Sequence, residues 1–97
     1  MEDMFYYNEL YDIYANLLTD KQRSYYEDYY FNNLSLGEMA INYNVSRNAI
    51  FKQLKFTVSK LLEFEEKLGF LEKIKKFSEV VSRCGDKNIK EEFDNLF

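Results

Sequence analysis

An all-α fold is what this 97-residue chain predicts, and three observations carry the prediction. Proline is absent and glycine occurs three times, which argues against a loop-rich all-β fold and for helices joined by short turns. Apolar residues recur at steps of three and four along most of the chain, the spacing of one helical face. Side chains able to cap a helix (Thr19, Ser35, Ser46) stand just before those runs. The content of 46% apolar and 31% charged residues is ordinary for a soluble globular protein. The length fits one domain with an appended helical arm, burying roughly 65% of its unfolded surface without disulfides or metal.

Residues 3–18 read as a first helix, with Tyr6, Leu10, Ile13 and Leu17 on one face and the acids Glu2 and Asp3 at its electropositive end. Thr19, with Gln22 three residues on, forms the capping-box pattern that opens a second helix over 20–32. Its YYEDYYF stretch stacks Tyr25 with Tyr29 and Tyr26 with Tyr30, a wide aromatic face, before Asn32 and Asn33 end it. Ser35 and Glu38 repeat the capping box ahead of a short helix over 36–43, whose buried side is Met39, Ala40 and Tyr43. Asn44 suits the left-handed turn that ends it. Ser46 caps a fourth helix running to Leu68, with the apolar stripe Ile50, Leu54, Val58, Leu61 and Leu62. Gly69 then permits a stop or a bend.

Beyond Gly69 the period continues. Leu61, Phe64, Leu68 and Leu71, then after a slip Ile74, Phe77, Val81 and Cys84, follow steps of 3, 4 and 3, resembling a short interrupted coiled-coil seam. Asp86 is placed to cap a last helix through Phe93 to Phe97. The expected division is therefore residues 1–68 as a helix-turn-helix unit and 69–97 as a C-terminal arm that dimerises the protein or completes its bundle. With nine Tyr and nine Phe in so small a chain, some aromatic surface should stay exposed, which favours a homodimer.

The stretch LSLGEMAINYNVSRNAIFKQLKF, residues 34–56, has helix-turn-helix arithmetic. Ala40 sits where two helices must approach closely, Asn44 occupies the turn, Val45 is expected to plug the core, and Ile50 and Leu54 anchor the second helix. The exposed residues of that helix would then be Ser46, Arg47, Asn48, Phe51, Lys52 and Lys55. These types suit a major groove: Arg pairs with guanine, Asn with adenine, Phe meets a thymine methyl and Lys neutralises phosphate. Charge supports the placement. Residues 1–44 hold eight acids against Lys21 and Arg23, whereas residues 45–62 hold Arg47, Lys52, Lys55 and Lys60 and no acid. The net charge of −4 opposes strong non-specific nucleic-acid affinity, and two capped amphipathic helices joined by a turn are also common in proteins that bind none.

Catalysis finds little to work with. His is absent, which removes imidazole acid–base chemistry and His metal sites. Cys84 stands alone, cannot make an internal disulfide or a thiolate zinc site, and reads as a small buried hydrophobe. A chain this poor in cysteine fits a reducing cytoplasm, and no apolar run approaches the ~20 residues of a membrane span. The Tyr cluster reads as core with its hydroxyls reaching water, and Glu63, Glu65 and Glu66 as a solvated helix face rather than a metal site. No enzyme, cofactor or metal is expected.

The motifs LLTDKQRSYYE, LSLGEMA, NVSRNAI and EEKLGFLEK, within residues 17–74, together resemble the YlxM family of small bacterial proteins. LSLGEMA followed by VSR is similar to the promoter-reading region four of sigma factors as well. The resemblance implies an all-α, sigma-region-four-like helix-turn-helix without a wing, plus extra C-terminal helices. It implies DNA contact through Ser46, Arg47, Asn48, Phe51, Lys52 and Lys55, and a link to the signal recognition particle pathway. The chain departs from the family at Asn44, where glycine is common, and at Phe51–Lys52. Two functions are then open: sequence-specific binding of duplex DNA, or an accessory role on the signal recognition particle protein or its RNA. Acidity of the N-terminal half favours a protein partner, and the basic 45–62 segment favours nucleic acid.

Overall fold

A computed structural model describes residues 3–85 and 87–96, and among these there are six helices, one 3₁₀ turn and no strand. The helices are α1 (Met4–Tyr14), α2 (Asp20–Tyr30), α3 (Leu36–Tyr43), α4 (Arg47–Leu68), α5 (Phe70–Cys84) and α6 (Lys87–Leu96). The expectations about Glu2, Asp86, Phe97 and the burial of Cys84 lie outside the described residues.

Local chemistry sets the boundaries. Asp3 caps α1 by accepting from the Tyr6 amide. Thr19 and Gln22 close a reciprocal capping box on α2, and Ser35 and Glu38 close one on α3, each at 2.9–3.2 Å. The α3–α4 turn is a Schellman motif. Asn44 takes φ 54° and ψ 48°, its amide donates to the Ile41 carbonyl, and the Val45 amide donates to the Ala40 carbonyl at 3.1 Å. Gly69, at φ 63°, stops α4 and starts α5 in the left-handed conformation that a side chain would strain.

α4 is the central rod, and α1, α2 and α3 all pack on it. Two clusters form the core. One joins Leu10, Tyr11, Tyr14, Leu18, Tyr26, Tyr30, Val58, Leu61 and Leu71. The other, beneath the helix-turn-helix, joins Tyr25, Met39, Ile50 and Leu54, with Ala40 and Tyr43 packed against it. Tyr29 touches both. The longest dimension is 53 Å against 25 and 24 Å across. The radius of gyration of 16.6 Å exceeds the ~12–13 Å of a compact chain this long, in keeping with the elongated shape.

Several expectations are corrected. The first helix does not run to residue 18: it ends at Tyr14, and Ala15–Leu17 tighten into a 3₁₀ turn. The tightening rotates the chain so that Leu18 is buried and Leu17 is 55% exposed. Arg23 of α2 secures this corner, its Nη1 donating to the Leu18 carbonyl and to the Ala15 carbonyl, which also accepts the Leu18 amide. α2 ends at Tyr30, two residues early, and Asn33 takes the left-handed turn at φ 58°. Val45 does not plug the core. It is 39% exposed, and Met39 and Ile50 fill the space beneath the turn. Leu62 also lies exposed, since Thr57 and Val58 complete the buried stripe of α4. The seam is split: Leu61 and Leu71 are in the core, whereas Leu68 and Phe77 are exposed.

The tyrosine hydroxyls, expected to reach water, instead find acids and an amide. Tyr11 donates to Glu27, Tyr43 to Asp28, Tyr14 to Glu65 at 2.6 Å and Tyr26 to Asn8 at 2.7 Å. Part of the acidity of the N-terminal half is therefore spent inside the fold. Glu65 likewise leaves the solvated face assigned to it. Besides Tyr14 it accepts from the Leu71 and Glu72 amides at 3.1 and 3.2 Å, capping α5 from across the Gly69 corner.

Candidate nucleic-acid interface

The first three turns of α4 form the candidate site. Ser46 opens the helix by accepting from the Ala49 amide at 3.0 Å, and no acid occupies the first turn to offset the positive end of the helix dipole. Ile50 and Leu54 are fully buried, which fixes the rotation of the helix and turns its other residues outward. Ser46, Arg47, Asn48, Phe51, Lys52 and Lys55 are all exposed. Five of them fall at i, i+1, i+4, i+5 and i+8, a single outward face. Phe51 is exposed in part, and the Lys55 ammonium rests 5.7 Å from its ring centroid, a contact that holds the lysine stem along the helix. Arg47 does not extend freely: its guanidinium lies against Gly37 in the first turn of α3.

Residues distant in sequence join this face. Lys21 of α2, with Val45, Ala49, Lys52, Gln53 and Phe56, lines a depression of about 440 Å³ floored by Tyr25. Lys21 sits 5.6 Å from the Tyr25 ring centroid, and no ion pair engages it among the described residues. It is one of two bases in the acidic N-terminal half, and the other, Arg23, is occupied by Asp20 and two carbonyls. Lys21 and Phe56 do not stand out in the sequence, because nothing local connects residue 21 with residue 52. The signal available was that Lys21 comes just after the Thr19 cap and so had to stand at the start of a helix.

Elsewhere the acids are distributed. Glu63 pairs with Lys67 and Lys60, whose hydrogen bonds hold its carboxyl below the usual range, Lys67 most of all, while Glu65 caps α5. Among the described residues no group of three potential ligands is placed to hold a metal, and no helix is long and apolar enough to cross a membrane.

Known proteins are similar to this chain in sequence. The family described as "Putative helix-turn-helix protein, YlxM / p13 like" matches residues 1–96. The chain belongs to the UPF0122 family of helix-turn-helix proteins. It is 46% identical over 76 residues to the UPF0122 protein of Halalkalibacterium halodurans, covering 78% of this chain and 70% of the relative. It is 44% identical over 79 residues to that of Geobacillus kaustophilus, covering 81% and 72%. A Bacillus cereus UPF0122 protein is 46% identical over 76 residues, covering 78% and 69%. The UPF0122 match thus takes in residues 75–96, where no motif pointed to the family.

Proposed function

We propose that this UPF0122 protein is a non-enzymatic regulatory protein that binds duplex DNA through Ser46, Arg47, Asn48, Phe51, Lys52 and Lys55. The carrying observation is the exposure of these residues on one capped helix that carries no acid from Arg47 to Leu62 and that a left-handed Asn44 sets off from its scaffold helix. Such a helix fits the major groove, with Arg47 and Asn48 near its leading end and the lysines toward phosphates. In this reading residues 1–68 are the binding unit, like region four of sigma factors, and 69–97 are an arm that pairs two copies. Exposed apolar side chains on α5 support the pairing: Phe70, Phe77 and Val80 are 45%, 64% and 56% exposed. The cytoplasm is the compartment proposed.

The test is salt-titrated binding of Lys52→Glu/Lys55→Glu to duplex DNA. The variant should keep its helicity and lose binding, and each phosphate contact removed should lower the salt slope by about 0.9. Unchanged affinity would overturn the reading. A second reading, an accessory factor of the signal recognition particle protein or its RNA, is favoured by the eight acids of residues 1–44 and by the YlxM resemblance. Titrating that protein and that RNA beside the duplex, with one sample at one salt series, separates the two.

A further inference from the structure

Gly37 occupies the second position of α3, half-buried, where alanine would be the better helix former. The space above it explains the glycine. A Cβ built there would stand 2.9 Å from Arg47 Nη2 and 3.2 Å from both Arg47 Cζ and Nε. Those three atoms belong to one planar group, so the guanidinium lies on the bare Cα of Gly37 rather than touching it with its tip. The neighbouring acid does not hold Arg47 in place, because Glu38 is tied back to the Ser35 amide at 3.1 Å. Among the described residues no carboxylate pairs with Arg47, which leaves its charge and donors for a ligand. An exposed arginine otherwise samples many rotamers, and that freedom is lost when it engages a partner. A seat that restricts it beforehand reduces the loss.

We propose that Gly37 is a positioning residue for the DNA-binding face: lacking a Cβ, it seats the Arg47 guanidinium on the first turn of α3 and so presets the reach of Arg47 toward the duplex. The proposal rests on the reading of α4 as a DNA-contacting helix. It makes an unusual pair of expectations for one substitution. Gly37→Ala should improve the helix yet weaken binding, because the added methyl displaces the guanidinium, the far end of a flexible chain, while the backbone stays in place.

The experiment measures binding of a fluorescently labelled mixed-sequence duplex by anisotropy, with thermal unfolding followed by circular dichroism. Gly37→Ala should unfold at or above the wild-type temperature and bind about tenfold more weakly, the loss of a hydrogen bond to a charged group. Arg47→Ala should lose at least as much, and adding Gly37→Ala to Arg47→Ala should change affinity less than about twofold, since the two act through one guanidinium. Wild-type affinity in Gly37→Ala beside a weakened Arg47→Ala would overturn the seat. So would an equal further loss when Gly37→Ala is added to Arg47→Ala, which would mean a general distortion. Wild-type binding by Arg47→Ala would remove the proposal while leaving DNA binding itself to stand or fall on Lys52→Glu/Lys55→Glu.

Discussion

At Asn44 one residue decides how two helices meet. The backbone there is left-handed, and the amides of Asn44 and Val45 close the end of α3 on Ile41 and Ala40. Asn tolerates this region because its short polar side chain suits it, whereas a β-branched side chain clashes. Asn44→Val should therefore lose on the order of 1–2 kcal/mol in urea denaturation. Asn44→Gly should be neutral or mildly stabilising, since relief at φ 54° offsets the greater freedom of glycine in the unfolded chain. Equal stability of the valine variant would mean that the turn is not held left-handed in solution. Glu65 has comparable reach. Its carboxylate gathers the Tyr14 hydroxyl and two α5 amides, a role invisible in sequence because EEKL offers Glu65 and Glu66 as equivalent surface acids.

Among the elements, α4 divides along its length. Its first half exposes the candidate DNA face, while Val58 and Leu61 in its second half carry the first core cluster. α5 is likewise two-sided. Leu71 is 6% exposed and belongs to that cluster, but Phe77, six residues on and on another side of the helix, is 64% exposed. The dimer proposal thus makes different demands of residues that belong to one predicted seam. Leu71→Glu should destabilise the protomer by several kcal/mol, because it buries an unpaired charge. Phe77→Glu should leave unfolding of the protomer nearly unchanged and shift a dimer to monomer in sedimentation equilibrium at micromolar concentration. A wild-type monomer under those conditions would leave the arm's apolar face without a second copy as its occupant.

For the whole molecule the tyrosine network ties stability to pH. Tyr14 and Tyr43 are pushed up to about 12 by burial first, then by donation to Glu65 and Asp28, and Tyr30 is pushed up to about 12 by burial. Tyr11 and Tyr26 are raised further, again by burial first. A hydroxyl whose proton is held more tightly in the folded state contributes in full below the unfolded value of about 10 and loses that contribution as pH rises through the folded value. Stability to urea should accordingly fall between about pH 10 and 12, and tyrosinate absorbance should rise in two stages, the second together with loss of helicity. A single ionisation step near pH 10 with helicity intact would contradict the buried hydroxyl–carboxylate pairs.

Helix identity and most helix starts were legible in the sequence because they are local. Thr19, Ser35 and Ser46 each cap a helix through an amide three residues on, and Asn44 ends α3 through its own conformational freedom. The outward set on α4 was legible for the same reason, since burying Ile50 and Leu54 on a 3.6-residue period leaves the rest facing away. Features that depended on distant partners were not. Leu18 rather than Leu17 entered the core because Arg23 gathers the carbonyls at the end of α1. Leu71 separated from Phe77, though both belong to the predicted seam, because six residues turn a helix by about 240° and only Leu71 then faces the core. Lys21 came beside Lys52, and the Arg47 guanidinium came to rest on Gly37, through the packing of α2 and α3 on α4. Hydrogen-bonded caps and apolar periods act within a few residues and are written in order along the chain. Which of several equivalent acids, leucines or lysines is used depends on how close the folded backbone brings it to a partner far away in sequence.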